Sequence, residues 1–496
     1  MASSGPSCYN TRPMPKSPVN SRHRVEKDSM GAKDVPADAY YGVQTVRALE
    51  NFPISGRRFY PPIREALGLV KWAAAKANLT VKALAPKLGR AILQATEEFL
   101  ENRRGLQDQI VVDIYQAGAG TSLNMNVNEV LANRANEILG RPRGAYKPVH
   151  PNDHVNMAQS TNDVIPAAIR LSALLTLPRL LAALDQLAAA FEAKAHVFDP
   201  IVKSGRTHLQ DAVPVRLGQE FGGYARVVAK QRARLVAARD GLYELNLGAT
   251  AAGTGLNAHP RYKVAVAKHL AQRTGLPVRP ATDFFEVTQS LGDIVAVSSA
   301  LRGACLELIK IANDLRLLSS GPRTGLAEIN LPPVQPGSSI MPGKVNPVMA
   351  EMLTQVCFQV IGCDTTIAFS AQAGQLELNV MMPVVAHNLI HSITILTNAL
   401  AAFTTKCVRG ITADAERCRD YANHSVGLAT ALNPYLGYGQ AATLVKEAVA
   451  TGKSIRAIME DRGLTKDARI AHLLDNPFAL TGPKRQKATK TNKGSV

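Results

Sequence analysis

Several features that would place this 496-residue chain in a familiar class are scarce or missing. No unbroken apolar run approaches the ~20 residues that a membrane span needs, so no span is expected. The six cysteines, Cys8, Cys305, Cys357, Cys363, Cys407 and Cys418, form no CxxC pair and no framework spacing. That excludes a disulfide scaffold or a zinc ribbon and fits a reducing, cytoplasmic setting, as does the lack of an opening secretory apolar segment. Neither a glycine-rich dinucleotide fingerprint after a strand nor a P-loop occurs, which argues against hydride and phosphoryl transfer. Aromatics are only 5% of residues and do not interleave with Lys and Arg, so no base-stacking platform is present.

Acidic residues are absent from both ends. Residues 1–24 carry Arg12, Lys16, Arg22 and Arg24, and residues 477–496 carry Lys484, Arg485, Lys487, Lys490 and Lys493, together half of the net charge of +18. Solvated, disordered basic tails explain this better than a nucleic-acid surface, because the body between them is only mildly basic.

What the chain does have is long helical periodicity. Residues 26–60 read as irregular, helical spacing begins near Ile63, and long Ala/Leu-rich helices are expected over roughly 163–197, 213–245, 284–319, 347–371 and 376–405. Short glycine-bearing connections between them predict a mostly α protein built on an antiparallel bundle. A helix over 163–197 is ~52 Å long at 1.5 Å per residue, Pro178 notwithstanding. Polar clusters at its start and just past its end therefore serve one site only if different subunits supply them.

Four stretches concentrate hydroxyls, amides and glycines. They are Gly118-Ala-Gly-Thr121 with Ser122 to Asn126, Gln159-Ser160-Thr161-Asn162-Asp163, Gly205-Arg206-Thr207-His208, and Gly337-Ser338-Ser339-Ile340-Met341-Pro342-Gly343-Lys344-Val345-Asn346-Pro347. Helix capping also explains the first two, and an ordinary exposed loop the third. The fourth is hard to explain as packing. The set offers donors, one imidazole and one ammonium but no grouped metal ligands, which suits a small, multiply anionic substrate on which charge develops. His387 and His391 lie at i, i+4 without the Glu of a zinc-protease motif, and read as helix-packing residues.

The stretch GSSIMPGKVNP closely resembles the signature of the fumarase/aspartase superfamily, and QAGAGTSLNMNVNEV, HPNDHVNMAQSTND and GRTHLQDAVPVRLGQEF match its other blocks in order. The resemblance implies a three-domain, mostly α fold whose central long five-helix bundle forms a twenty-helix core in a homotetramer, with each active site shared by three subunits. On that basis the chain divides into a tail (1–24), an N-terminal helical domain (25–160), a central bundle (161–415), a small helical domain (416–476) and a second tail (477–496). Tyr40-Tyr41-Gly42, Gln116 to Gly120, Ala373 to Asn379 and PVMAEMLTQVCFQVIGCDTT resemble the aspartase branch rather than the fumarases, although Met382 stands where aspartases commonly have Glu. The implied reaction is deamination of L-aspartate to fumarate and ammonia through an aci-carboxylate, with malate hydration by a class II fumarase, or a non-catalytic, nucleic-acid-associated member that uses the basic tails, as alternatives. By resemblance Ser338 is the base, and Thr121, Ser160, Thr161 and Ser339 bind the β-carboxylate. Lys344, Asn346 and Thr207 hold the α-carboxylate, His208 and Asn162 lie near the amino group, and Glu351 orients His208. No cofactor is implied. Some relatives respond to divalent cations, but the sequence identifies no site for one.

Overall fold

The computed structural model describes residues 23–482, and helix dominates them. The chain opens with an antiparallel hairpin, β1 (His23–Asp28) and β2 (Gly31–Pro36), followed by α1 (Val43–Asn51), where irregular chain is expected. Arg24 belongs to this hairpin rather than to a solvated tail: it pairs with Glu26 and donates to the carbonyls of Pro36, Ala39 and Tyr41. The rest of the N-terminal tail, and residues 483–496 of the C-terminal one, lie outside the described residues.

Next come α2 (Pro61–Thr80), α3 (Pro86–Leu100) and α4 (Thr121–Ile138). Proline opens α2 and α3, where its fixed φ suits the helix and its missing N–H would have had no helical partner. Helix α5 (Thr161–Val197) runs unbroken for 37 residues through Pro166 and Pro178, a length of about 55 Å. A second hairpin, β3 (Val202–Thr207) and β4 (Gln210–Arg216), replaces the expected polar connection and the expected helix start near 213. Val213 and Val215 alternate along β4, and Pro214 cannot donate within a helix, so α6 (Leu217–Arg239) begins only at Leu217.

After α7 (Tyr262–Thr274), the single helix expected over 284–319 is two, α8 (Phe284–Gln289) and α9 (Gly292–Leu318). Ser290 between them is extended (φ −95°, ψ 137°), and its hydroxyl accepts from Gly292 N–H. Helix α10 (Val348–Gln372) follows, and α11 (Met382–Lys406) starts six residues later than expected. Residues 373–381 form a turn instead, with Leu376 at φ 51° and the Asn379 amide donating to the carbonyls of Ser370 and Ala371. Met382 is the fully buried first residue of α11. Helices α12 (Ala415–His424), α13 (Asn433–Thr451), α14 (Ile455–Asp461) and α15 (Ala468–Asp475) end the fold, and α13 to α15 enclose an apolar cluster around Leu444, Ile458, Met459 and Leu474.

The chain separates into two compact units. One holds the described residues up to Leu175 with Gly241–Val295 and Thr366–Ile390, and the other holds Thr176–Asp240, Ala296–Thr365 and the residues from His391 on. In the first, α2 packs on α3 and α7, and α3 packs on α4. In the second, β3 and β4 pack on α12 and on the short helical segments Val426–Leu432 and Pro477–Thr481.

Judged as helices rather than as unbroken runs, Thr161–Val197, Val348–Gln372 and Met382–Gly410 are long and apolar enough to cross a membrane by length and composition. No span is expected from the sequence because no unbroken apolar run is long enough; Arg170 and Asp364 interrupt the first two of these helices. Much of the first is buried inside the protein, whereas α10 leaves Phe358 (59% exposed) and Phe369 (66%) on one open face with Gln355, Gly362 and Thr365.

Candidate active site

In the first unit, two helix starts meet. Ala119 (φ 59°) and Gly120 (φ 86°) are successive left-handed residues that turn the chain sharply into α4, and Ala119 N–H donates to Val380 carbonyl at 2.7 Å. Only glycine adopts this conformation without a steric penalty, so Ala119 stores strain two residues before Thr121, the exposed first residue of α4. The Gln116 side chain accepts at Oε1 from Leu123 N–H at 2.7 Å and satisfies one of the free amides of that helix start.

At the start of α5, Ser160 Oγ accepts from Asn162 N–H, and Ser160 N–H donates to Asp163 Oδ1 at 2.9 Å. Thr161 Oγ1 accepts from Asn124 Nδ2 at 3.3 Å, which ties the two helix starts together. Asn162 donates from Nδ2 to Ala251 carbonyl, while its own carbonyl accepts from Asn246 Nδ2. Thr121, Ser160, Thr161 and Asn162 are thus brought to one place.

Two buried charged groups stand behind them. Asp163 Oδ2 accepts from Gly248 N–H and Thr250 N–H at 3.0 and 3.1 Å. Burial pushes its carboxyl up to about 6, against those amides and the charge of Lys71. The Lys71 ammonium donates to Asn156 Oδ1 and Gln159 Oε1, each at 3.0 Å, and burial brings it down to about 7. Sequence inspection placed Asp163 within a donor-rich stretch without giving it a role, and missed Lys71. The available signal for Lys71 was a single cation within the apolar run Leu69-Val70-Lys71-Trp72-Ala73.

In the second unit, Thr207 and His208 occupy the tip of the β3–β4 hairpin and are exposed. The two-residue turn puts His208 (φ 54°) and Leu209 (φ 59°) in the left-handed region, where glycine or asparagine is usual. Below the tip, the fully buried Glu328 pairs with Arg206 at 2.9 Å and with Lys203 at 3.1 Å. Lys203 also donates to Glu220 at 2.9 Å, and burial raises the Glu220 carboxyl although Lys203 opposes the shift.

The loop over residues 337–346 folds around its own backbone. Ser338 Oγ accepts from Ile340 N–H at 3.2 Å and Met341 N–H at 3.0 Å, so two amides already point at the hydroxyl oxygen. Asn346 Nδ2 donates to Gly337 carbonyl at 2.5 Å, and a Cβ on Gly337 would lie 2.1 Å from the Lys344 carbonyl oxygen. The loop closes only because residue 337 has no side chain. Ser339 and Lys344 are exposed on it, and Glu351 lies in the first turn of α10. Within the described chain no hydrogen bond or ion pair joins His208 to Glu351 or to Ser338. Among the described residues no cluster of three or more His, Cys, Asp or Glu is arranged to hold a metal ion. His387 is buried beside Tyr60, with ring centroids 5.7 Å apart.

The sequence model of the lyase family matches residues 31–362, and that of the fumarase C C-terminus matches residues 428–482. The aspartate ammonia-lyase of Bacillus subtilis is 51% identical over 461 residues, covering 93% of this chain and 96% of its own. That of Escherichia coli is 48% identical over 454 residues, covering 91% and 95%. A fumarate lyase:delta crystallin from Brucella melitensis, solved bound to cobalt, is similar with TM-score 0.90 at 47% identity over 93% of this chain and all of that one. The class II fumarase of Schistosoma mansoni also gives TM-score 0.90, at 36% identity over 94% of this chain.

Proposed function

Because the chain belongs to the fumarase/aspartase superfamily of lyases, we propose that the donors gathered at the two helix starts, the hairpin tip and the Ser338 loop cooperate in one elimination reaction. That reaction is the reversible deamination of L-aspartate to fumarate and ammonia, catalysed by a carbon–nitrogen lyase. The observation that carries aspartate over malate is identity of 51% and 48% to two aspartate ammonia-lyases across more than nine-tenths of the chain, against 36% to the class II fumarase.

The obstacle in this chemistry is the proton on the carbon beside the β-carboxylate, whose removal turns that carboxylate into a dianion. Only interactions that strengthen as this charge forms lower the barrier. Ser338 takes the proton. A serine hydroxyl is a weak base at neutral pH, and the amides of Ile340 and Met341 favour its alkoxide. Thr121, Ser160, Thr161 and Ser339 bind the β-carboxylate, which adds to the favourable field at the starts of α4 and α5. Lys344, Asn346 and Thr207 hold the α-carboxylate, His208 and Asn162 attend the departing amine, and Glu351 orients His208. No cofactor is needed for this sequence of steps.

The protein acts as a homotetramer with sites shared by three subunits. The length of α5 and the open Phe358–Phe369 face of α10 support this. Five described cysteines are free and buried, which suits a reducing cytoplasm. The deciding assay supplies L-aspartate and L-malate separately and follows fumarate together with ammonia. Fumarate and ammonia from aspartate alone support the assignment, whereas fumarate from malate alone transfers the same residues to a hydratase.

A further inference from the structure

Lys71 is almost fully enclosed, at 1% exposure, on a stretch of α2 whose Leu69, Val70, Ala73 and Ala74 are buried as well. An apolar residue of similar length would pack there without the cost of taking a charge out of water, so the ammonium is not explained by packing. Its bonds point elsewhere. Asn156 Oδ1, which accepts from Lys71, also accepts from Asn124 Nδ2 and Asn128 Nδ2, each at 3.2 Å. Asn156 Nδ2 donates to Gln159 carbonyl, and Gln159, the other acceptor of Lys71, immediately precedes Ser160. Asn124 Nδ2 is shared between Asn156 and the Thr161 hydroxyl. One cation thus organises the residues that set both the backbone before Ser160 and the hydroxyl of Thr161. Asp163, the one group among the described residues whose charge acts appreciably on Lys71, is itself satisfied by three backbone amides.

We infer that Lys71 is a positioning residue for the substrate-carboxylate site: without touching substrate, it holds Thr161 and Ser160 in place through Asn156, Gln159 and Asn124, and its positive charge favours an anion in front of them. This rests on the assignment of Thr161 to carboxylate binding.

The test is a double-mutant cycle between Lys71→Met and Thr161→Ala in the full-length protein, reading KM and kcat for L-aspartate and the Kd of succinate, a dicarboxylate without the amine. Each single variant should raise the succinate Kd about tenfold and lower kcat/KM by at least that factor, with part of the loss in kcat, because Thr161 faces the carboxylate on which charge develops. The double variant should be no more than about threefold worse than the weaker single one, because both remove the same arrangement. Full multiplication of the two effects, with Thr161→Ala impaired as expected, would overturn the role of Lys71 and leave the carboxylate site standing. A silent Thr161→Ala variant would instead overturn the carboxylate assignment, and the inference with it. If Lys71→Met does not fold, Asn124→Ala runs the same cycle. It cuts the link to Thr161 but leaves the ammonium paired with Asn156 and Gln159, and independent effects of Asn124→Ala and Thr161→Ala would again refute the relay.

Discussion

Replacing Glu328 by Gln tests whether the hairpin that presents Thr207 and His208 depends on the charge cluster at its base. Glu328 is fully buried, and its two oxygens face Arg206 at 2.9 Å and Lys203 at 3.1 Å. Gln keeps the shape but turns an amide N–H₂ toward one of two cations, leaving it facing a donor. Lys203 retains Glu220, whereas Arg206 loses its only carboxylate partner among the described residues. Breaking a buried pair by removing one partner costs about 3–5 kcal/mol. Charged to opening of the hairpin, the lower figure speeds amide exchange on the order of a hundredfold. The strands should report it, because both site residues sit on a turn whose left-handed His208 and Leu209 already oppose hairpin closure. Hydrogen exchange read over Val202–Arg216 is the assay, with α2 and α3 as internal standards, and kcat/KM should fall with protection. Exchange within about threefold of the parent protein would refute the claim that this cluster holds the hairpin.

Four further outcomes are expected. Ser338→Ala should lower kcat by roughly 10²–10⁴ with little change in KM, whereas Lys344→Ala should raise KM, both read by steady-state fumarate release. Gly337→Ala should abolish turnover without shifting the thermal unfolding midpoint, because its Cβ would collide with the Lys344 carbonyl in an exposed loop that carries none of the core. Glu129 is buried under α1, where it accepts from Gly42, Gln44 and Thr45 amides, and burial pushes it up to about 7 from its ordinary 4.5. Its folded form therefore binds a proton that its unfolded form has released, and the stability it adds below about pH 4.5 is lost as pH rises through about 7. Urea titrations at a series of pH values should show the parent protein losing ground to Glu129→Gln across that window. Phe369→Asp should lower the oligomeric state seen by light scattering, since it places a charge on the open face of α10.

The long helices were legible because a 3.6-residue apolar period persists over many turns, and α5 and α10 fall within two residues of their expected ends. The Ser338 stretch stood out because glycines beside serines and a lysine are hard to explain as packing, whereas helix capping accounts equally well for the two stretches that open α4 and α5. The second hairpin was not. Its strands are six and seven residues long, and the bulge between Ser204 and Arg206 breaks the alternation that would have marked β3. The turn before α11 was hidden because Leu376 and Val380 keep a helical apolar spacing, whereas the Asn379 amide takes two carbonyls of α10 and the Val380 carbonyl accepts from Ala119 N–H. The support behind the site was hidden for a different reason. Lys71 acts on residues 85 and 88 positions away in sequence, and nothing local to a lone lysine announces such partners.

The Ser338 hydroxyl is set by amides two and three positions further along its own loop, with no bond to any other part of the described chain. In the proposed role as base, the group therefore owes its immediate surroundings to residues 338–341 alone. Admission of substrate and readiness of the base become separable properties. Substitutions elsewhere around the proposed site can then alter which dicarboxylate is admitted while the polarisation of the oxygen stays the same.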